Sequence, residues 1–431
     1  MSETLHKPVH GAVNITYGPS NGYVYFFHPG GTYSRFDRLT CQLEYYSDIV
    51  KEWNGWPPHW TSPQASVSWD NQYVYFFHGS EYVAYDMIND IADGAVRSVE
   101  KEWLSWPKPW LDRIDAGLYW GYHFGQKKAK AYFFRDDEYV RYELGHGGEE
   151  EGVEDGYPLK IKDSWPGWPV RWGRVTAAID WGNGKVYFFS GEEYLRYDKF
   201  YEHVDSGYPR PISDFLKEHE EKLARENKSL VLEDQVPAPQ RAAFTSTVRS
   251  LAAEFEIRPN WLMASMWTES GFKPDAGVNG VFVGLHQLSL GLIYNLWGKA
   301  ALAARFPALF DQKAFKDLSD EAKRVLAKEF AALGFDQIQV VGRWLRASLK
   351  NLNAKCRSYD QLRLIGFGGQ GLGNVDRTRL AAVVAKGNPR YDLSKDGTLD
   401  LAELRAAVFD LLHERFGKDP VAESGLRHDL G

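Results

Sequence analysis

The 431-residue sequence predicts a multidomain protein in which an all-β four-bladed propeller precedes a mainly α domain. Three observations predict it. A segment of the form aliphatic-Tyr-Phe-Phe recurs as Val24-Tyr25-Phe26-Phe27, Val74-Tyr75-Phe76-Phe77, Ala131-Tyr132-Phe133-Phe134 and Val186-Tyr187-Phe188-Phe189, at spacings of 50, 57 and 55 residues. Periods of that size belong to propeller blades, units that cannot bury their faces alone and therefore close radially. A Pro-containing stretch, Val236-Pro237-Ala238-Pro239, reads as a stiff tether between two compositions. From Phe244 onward strand-like alternation ends, Ala, Leu and Lys predominate, and helical periodicity takes over.

Within each repeat the aromatic strand is followed by a turn and a second strand: Tyr33-Ser34-Arg35-Phe36-Asp37, Tyr82-Val83-Ala84-Tyr85-Asp86, Tyr139-Val140-Arg141-Tyr142-Glu143 and Tyr194-Leu195-Arg196-Tyr197-Asp198. Two such strands joined by Gly, Ser or Asp read as a hairpin. Between repeats stand Trp56-Pro57-Pro58, Trp106-Pro107-Lys108-Pro109 and Trp165-Pro166-Gly167-Trp168-Pro169, where Pro ends pairing and Trp can plug the gap between sheets. Together with Asp155-Gly156-Tyr157-Pro158, these signatures resemble the hemopexin repeat over residues 1–215. The resemblance implies a four-bladed propeller. Some family members tie the first blade to the last with a disulfide, but Cys41 and Cys356 do not supply that pair, so closure must come from packing and strand pairing. Family members bind haem, metal ions, small cations, glycans or other proteins, and that breadth leaves the ligand unnamed. A family-like channel ion would be held by backbone carbonyls near Ala65, Ala116 and Ala177. His28 and His78 occupy equivalent hairpin positions, with Arg135 and Ser190 in the other two repeats. They read as surface turn residues, and no haem is expected. The propeller reads as a binding or docking module.

Ser213 caps a charged amphipathic helix, so residues 216–240 read as a helical and Pro-rich linker and residues 241–431 as the second domain. There the run Pro259-Asn260-Trp261-Leu262-Met263-Ala264-Ser265-Met266-Trp267-Thr268 delivers Glu269 to the end of a helix. Leu262, Met266 and Glu269 lie at i, i+4 and i+7, which puts the acid on the face that should be buried. An apolar setting and the negative end of the helix dipole both favour a neutral carboxyl, and a neutral carboxyl can protonate a leaving oxygen. Glu269-Ser270-Gly271-Phe272-Lys273-Pro274-Asp275-Ala276 and Gly284-Leu285-His286-Gln287-Leu288 closely resemble the lysozyme-like lytic transglycosylases of the soluble type. His286 stands where that family usually has Met. The resemblance implies a lysozyme-like fold, Glu269 as general acid and then base, and substrate-binding roles for Ser270, Gly284 and Gln287. Residues 335–345 loosely resemble the family's third conserved helix. Ile365-Gly366-Phe367-Gly368-Gly369-Gln370-Gly371 stands where the family has Ala-Tyr-Asn-Ala-Gly-Pro-Gly, which puts Phe367 and Gly368 at positions that hold substrate. That departure implies a different supporting shell.

Asp392-Leu393-Ser394-Lys395-Asp396-Gly397-Thr398-Leu399-Asp400-Leu401-Ala402-Glu403 matches an EF-hand loop. Side-chain oxygens fall at Asp392, Ser394, Asp396, Asp400 and Glu403, a carbonyl at Thr398, and Gly397 at the sharp turn. Ca2+ is the expected ion, although Asn388-Pro389 should interrupt the entering helix and no second hand is visible.

The overall charge of -7 hides an asymmetry: residues 235–431 carry 26 Lys+Arg against 21 Asp+Glu, or +5, and residues 1–234 carry -12. A basic second half suits an anionic polymer such as peptidoglycan. Nucleic-acid binding has no support beyond that mild charge. No stretch approaches the roughly 18 apolar residues of a membrane span, and the start of the chain lacks the apolar stretch of a signal peptide. The function these features predict is cleavage of the β-1,4 bond between N-acetylmuramic acid and N-acetylglucosamine. The product could come from a lytic transglycosylase or from a hydrolase using Asp275 or Asp336 as second carboxylate. The alternatives are a phage-type endolysin and a binding protein with an inert lysozyme-like domain. The chain is expected to be made in the cytoplasm and exported by a non-Sec route to the periplasm or wall of a target bacterium. There it would act as an antibacterial effector of the type VI kind, with an immunity protein and a secretion component or receptor as partners.

Overall fold

The computed structural model describes residues 5, 7–16, 20, 22–69, 72–122, 128–144, 151–311, 313–352 and 356–366, and short pieces at 379–380, 391–393, 395, 399–400, 403, 406–407 and 410. Two compact units emerge. The first contains residues 1–224 together with 374–429, and the second runs from Arg225 to Gly373.

In the first unit four antiparallel sheets stand around an axis. Their innermost strands, Gly11–Asn14, Ala65–Ser68, Ala116–Tyr122 and Ala177–Asp180, neighbour one another in a ring that returns from the fourth to the first. Each then pairs outward in simple meander order, as in blade 1 through Tyr23–His28, Thr32–Asp37 and Gln42–Asp48. In blades 2 to 4 the outermost strand is split into two short pieces that both pair with the third strand, such as His203–Val204 and Arg210–Pro211 on Glu193–Asp198.

The Tyr-Phe-Phe segment explains the ring. Adjacent residues of a strand point to opposite faces, so a Phe-Phe doublet sends one ring to each neighbouring blade. The pairs are Phe27–Phe76, Phe77–Phe133, Phe134–Phe188 and Phe189–Phe26, all edge-to-face with centroids 5.0 to 5.7 Å apart. A further aromatic plugs each seam. Trp53, Trp103 and Trp165 follow the short helices Ile49–Glu52, Val99–Glu102 and Ile161–Ser164, and each touches both phenyl rings of its pair.

In the fourth seam that position belongs to Phe215, 5.5 Å from Phe26 and 5.7 Å from Phe189. It lies on the helix Asp214–Lys228, whose charged sequence reads as a linker. Instead the first turns of this helix are part of the propeller core. Leu216 is buried beside Phe215, and the His219 ring stacks on Trp181 at 4.6 Å. Glu218 accepts hydrogen bonds from Tyr194 and Tyr208 hydroxyls, both at 2.6 Å, and from Arg196 at 2.7 Å. The boundary between units therefore falls inside the helix, after Ala224, and not at the Pro-containing stretch. Val236 is fully buried, Pro237 stands at the N-cap position of the helix Ala238–Phe255 and Pro239 lies in its first turn, where Pro is tolerated because the first N–H groups have no helical partner.

Beyond residue 373, the described side chains of Leu393 and Ala406 pack against Tyr122, Ala129 and Leu144 of the first unit. The second unit is mainly helical, with Ala238–Phe255, Pro259–Ser270, Asp320–Ala331, Ile338–Leu352 and Tyr359–Gly366 as its longer helices. One two-stranded hairpin pairs Phe282–Val283 with Leu288–Ser289. Residues 335–345 begin as a 3-10 turn, Gly334–Gln337, and continue into Ile338–Leu352.

Phe215→Ala should lower the unfolding free energy of the propeller by about 3–5 kcal/mol, the cost of emptying a buried phenyl site. Urea denaturation followed by Trp fluorescence measures it, and a loss under about 1 kcal/mol would show that the fourth seam does not depend on this ring.

Candidate active site

The helix Pro259–Ser270 is buried nearly all round rather than along one stripe, with Asn260, Trp261, Leu262, Met263, Ala264, Ser265, Met266 and Thr268 all inside. Its start is fixed by Glu226, whose carboxylate accepts from Asn260 N at 2.8 Å and from Arg258 Nε at 2.7 Å. A carboxylate there satisfies an orphan donor and faces the positive end of the helix dipole. Its end is the left-handed Gly271. Glu269 thus sits in the last turn, half-buried.

The setting of Glu269 is not apolar. Arg363, on the helix Tyr359–Gly366, places Nη1 2.5 Å from Glu269 Oε1, and its side chain is only 4% exposed. This corrects the apolar setting expected from the sequence: a guanidinium stands against the acid. Periodicity described the helix's own face. The partner comes from 94 residues further on.

The network continues inward. Arg363 Nη1 also lies 3.4 Å from Ser265 Oγ, and Ser265 Oγ lies 2.9 Å from His286 Nε2. His286 is buried against Trp344, with ring centroids 4.8 Å apart. Burial pushes its pKa down to about 4, with Glu269 opposing and Arg363 adding to the shift. Thr268 Oγ1 meets Tyr359 Oη at 3.3 Å, a second tie between the same two helices.

Residues 270–288 are pinned by main-chain contacts. Ser270 Oγ bonds to Leu285 O at 2.9 Å, and Gln287 Nε2 donates to Ala276 O and Gly284 O at 3.1 and 2.9 Å. The described bonds of Ser270 and Gln287 thus hold the loop that carries His286. Gln337, fully buried, accepts from Leu285 N at 2.8 Å and donates to Pro274 O and Phe330 O at 2.8 and 3.0 Å. Gly284 has φ +88°, and a Cβ there would lie 2.4 Å from Gln337 Oε1, so no other residue fits. Phe244, Phe272 and Phe335 close the floor with mutual centroid distances of 5.1 to 5.9 Å.

Among the sequence candidates, the structure brings Glu269, Ser270, Gly284 and Gln287 to one region. Phe367 and Gly368 lie outside the described residues. Asp275 and Asp336 are both exposed. Arg363, Ser265 and Gln337 were not singled out by sequence. The available signal for Arg363 was its place on the apolar stripe of Tyr359, Leu362 and Ile365, where a cation needs a partner.

Of the EF-hand-like loop, Ser394, Asp396 and Thr398 lie outside the described residues. Asp392 is half-buried, Glu403 is buried, and Leu399–Asp400 pairs antiparallel with Arg379–Leu380. Among the described residues no group of three or more His, Cys, Asp or Glu is placed to hold a metal ion. In the propeller, Ala65, Ala116 and Ala177 open the inner strands at equivalent positions. His28 is fully buried rather than a surface residue, with one ring nitrogen 2.9 Å from Pro8 O and the other 2.9 Å from Ser34 Oγ. His78 is half-buried, stacked on Trp60.

The comparisons with known proteins fall on the propeller. The Hemopexin family model matches residues 124–169 and 175–216, which are blades 3 and 4. Stromelysin-1 of Mus musculus is 30% identical over 125 residues, 29% of this chain and 23% of that protein. Interstitial collagenase B of Mus musculus is 34% identical over 112 residues, 25% of this chain and 23% of its own length. The chain thus spans about a quarter of the length of the curated relatives it matches. Among solved structures, the hemopexin fold protein CP4 from cow pea is 20% identical with a TM-score of 0.39, covering 49% of this chain and 96% of that one. LS24, a seed albumin from Lathyrus sativus, is 16% identical with a TM-score of 0.40, covering 49% and 98%. The N-terminal region is a hemopexin-like four-bladed β-propeller, and a helical region follows it. Among the described residues no helix is long and apolar enough to cross a membrane.

His286 generates a pH prediction. Its folded pKa lies below that of an unfolded histidine, so between about pH 6.5 and 4 the unfolded chain takes up a proton that the folded site refuses. The stability this supplies is fully present above pH 6.5 and is lost as pH falls toward 4, by about 3 kcal/mol. His286→Met should remove that limb; urea midpoints of both proteins across pH 4 to 7 measure it, and parallel curves would refute it. Separately, Gly284→Ala should destabilise the second unit by at least about 2 kcal/mol in the same assay, through overpacking against Gln337.

Proposed function

We propose that this protein cleaves peptidoglycan glycan strands at the β-1,4 bond between N-acetylmuramic acid and N-acetylglucosamine, with Glu269 as general acid. The observation that carries the reading is the position of Glu269 at the end of a buried helix, beside a pinned loop, in the residue order of the lytic transglycosylase pattern. In this mechanism Glu269 donates a proton to the glycosidic oxygen. The resulting carboxylate then takes the proton of the sugar's own C6 hydroxyl, which closes a 1,6-anhydro ring without water. The transglycosylase version is preferred because Asp275 and Asp336, the candidates for a second carboxylate, are both exposed. The helical unit is read as lysozyme-like on the same ground, and the 392–403 loop as a Ca2+ site.

The propeller, in this reading, supplies docking to a delivery apparatus or a target receptor. An antibacterial effector exported by a non-Sec route and neutralised by an immunity protein is the context that joins the two parts. A second reading is favoured by the family match, which touches only propeller residues. It is a protein-binding module whose helical unit does no chemistry.

Incubation of purified sacculi with the full chain, followed by mass analysis of the released fragments, separates these readings. The enzyme reading expects anhydro-muramyl ends, and a loss of about 10²-fold or more in Glu269→Gln. Ordinary reducing ends would indicate a hydrolase. Release that is absent, or equal in wild type and Glu269→Gln, would sink the role of this acid.

A further inference from the structure

A general acid has to carry a proton, yet Glu269 is held by a buried cation. We propose that Arg363 is a positioning residue that keeps Glu269 ionised and fixed in the resting site, so that the proton donor forms only when this ion pair opens or the medium is acidic. The inference rests on the proposed glycan-cleaving role of Glu269 for its functional meaning, and on geometry for its physical content.

The geometry has three parts. Arg363 is 4% exposed and Glu269 26%, so the cation is anchored inside while the acid reaches outward from it. Arg363 Nη1 is shared between Glu269 at 2.5 Å and Ser265 at 3.4 Å, which ties the guanidinium to the same helix at i and i+4. Tyr359, one turn before Arg363, bonds to Thr268, one residue before Glu269. The two helices are thus locked in a register that brings the charges together.

Among the described residues, the other ionisable groups near this point have partners of their own, and on the helix Ile338–Leu352, which packs on the Arg363 helix, Arg343 bonds to Leu296 O. His286, the nearest, is buried and bonded to Ser265. On the helix Ala238–Phe255, which also packs on the Glu269 helix, Arg249 bonds to Glu226 O, Arg241 to Val236 O, and Glu254 to Arg346. Among the described contacts of Glu269, Arg363 is the cation. The consequence for catalysis is an alkaline limb placed low on the pH scale. Cleavage should rise as pH falls below neutrality, until other groups titrate.

The test uses the full chain labelled with carboxyl-13C glutamate. The Glu269 signal is assigned by its loss in Glu269→Gln. In wild type its titration midpoint should lie below the ordinary glutamate value of about 4.3, and in Arg363→Gln it should rise by about 1 to 3 pH units, the usual effect of one adjacent guanidinium. Arg363→Lys should restore part of the difference, which a purely structural role would not do. The pH profile of sacculus cleavage should move in the same direction. A wild-type midpoint at or above the ordinary value overturns the proposal without need of any variant, and so does an unchanged midpoint in Arg363→Gln. A midpoint that shifts as expected in a protein that releases no glycan would uphold the ion-pair inference and sink the enzymatic reading alone.

Discussion

Eight phenyl rings in four edge-to-face pairs decide the architecture of the first unit. A Phe-Phe doublet at the centre of each second strand commits one ring to each side of its sheet, so every blade is joined to the next by the same contact. The ring must close on itself, and no disulfide does it, since neither Cys41 nor Cys356, both buried, is in a disulfide. The fourth seam therefore depends on packing and hydrogen bonds, among them Asn14 Nδ2 to Asp180 O at 3.1 Å. Phe215 supplies there what Trp53, Trp103 and Trp165 supply elsewhere, and the helix that carries it replaces a short four-residue helix with fifteen residues. A longer helix brings Leu216, Glu218 and His219 into a seam that lacks the later tryptophans of the other three.

Blades 3 and 4 repeat a second device. Lys130 and Lys185 are buried near the start of the second strand, and each faces two acids: Glu143 and Glu154 in one blade, Asp198 and Asp205 in the other. A buried ammonium is tolerated when its charge is matched and its donors are used, and both conditions are met. Each pair of acids bridges the third strand to the turn after the fourth, so the same residues that neutralise the lysine also hold the short outer strands in register.

Much of this was legible in the sequence, and the illegible parts share a cause. The doublets, the hairpins and the Trp-Pro turns repeat locally, and a repeat is visible without knowledge of what touches what. The helix 214–228 reads as part of a linker because Lys, Glu and His outnumber its apolar residues, yet four of them, Glu218, His219, Lys222 and Glu226, are buried. Glu218 is held by Tyr194, Arg196 and Tyr208 of blade 4, His219 packs between Trp181 and Phe36, and Glu226 meets Arg258, partners that no local pattern displays. The same holds in the second unit. Gln337 makes three main-chain bonds across 7, 52 and 63 residues, and Arg363 reaches Glu269 across 94. The motif around Glu269 located the acid; its electrostatic partner lay in a stretch whose only clue was a charge on an apolar stripe.

That partner changes how the site must be understood as a unit of charge. Arg363, Glu269 and His286 share one small volume, and water is largely excluded from two of them. Among the described residues, Arg363 and Glu269 are the ion pair there. A proton on His286 would leave two cations against one carboxylate, and burial opposes it before Arg363 does. A proton on Glu269 would weaken its pairing with the guanidinium, which is buried and so less able to turn to water. The charges of Glu269 and Arg363 therefore bear on His286 in opposite directions. If Glu269 is the proton donor proposed above, a carboxylate or another acceptor that a bound ligand brings to Arg363 would favour the protonated acid.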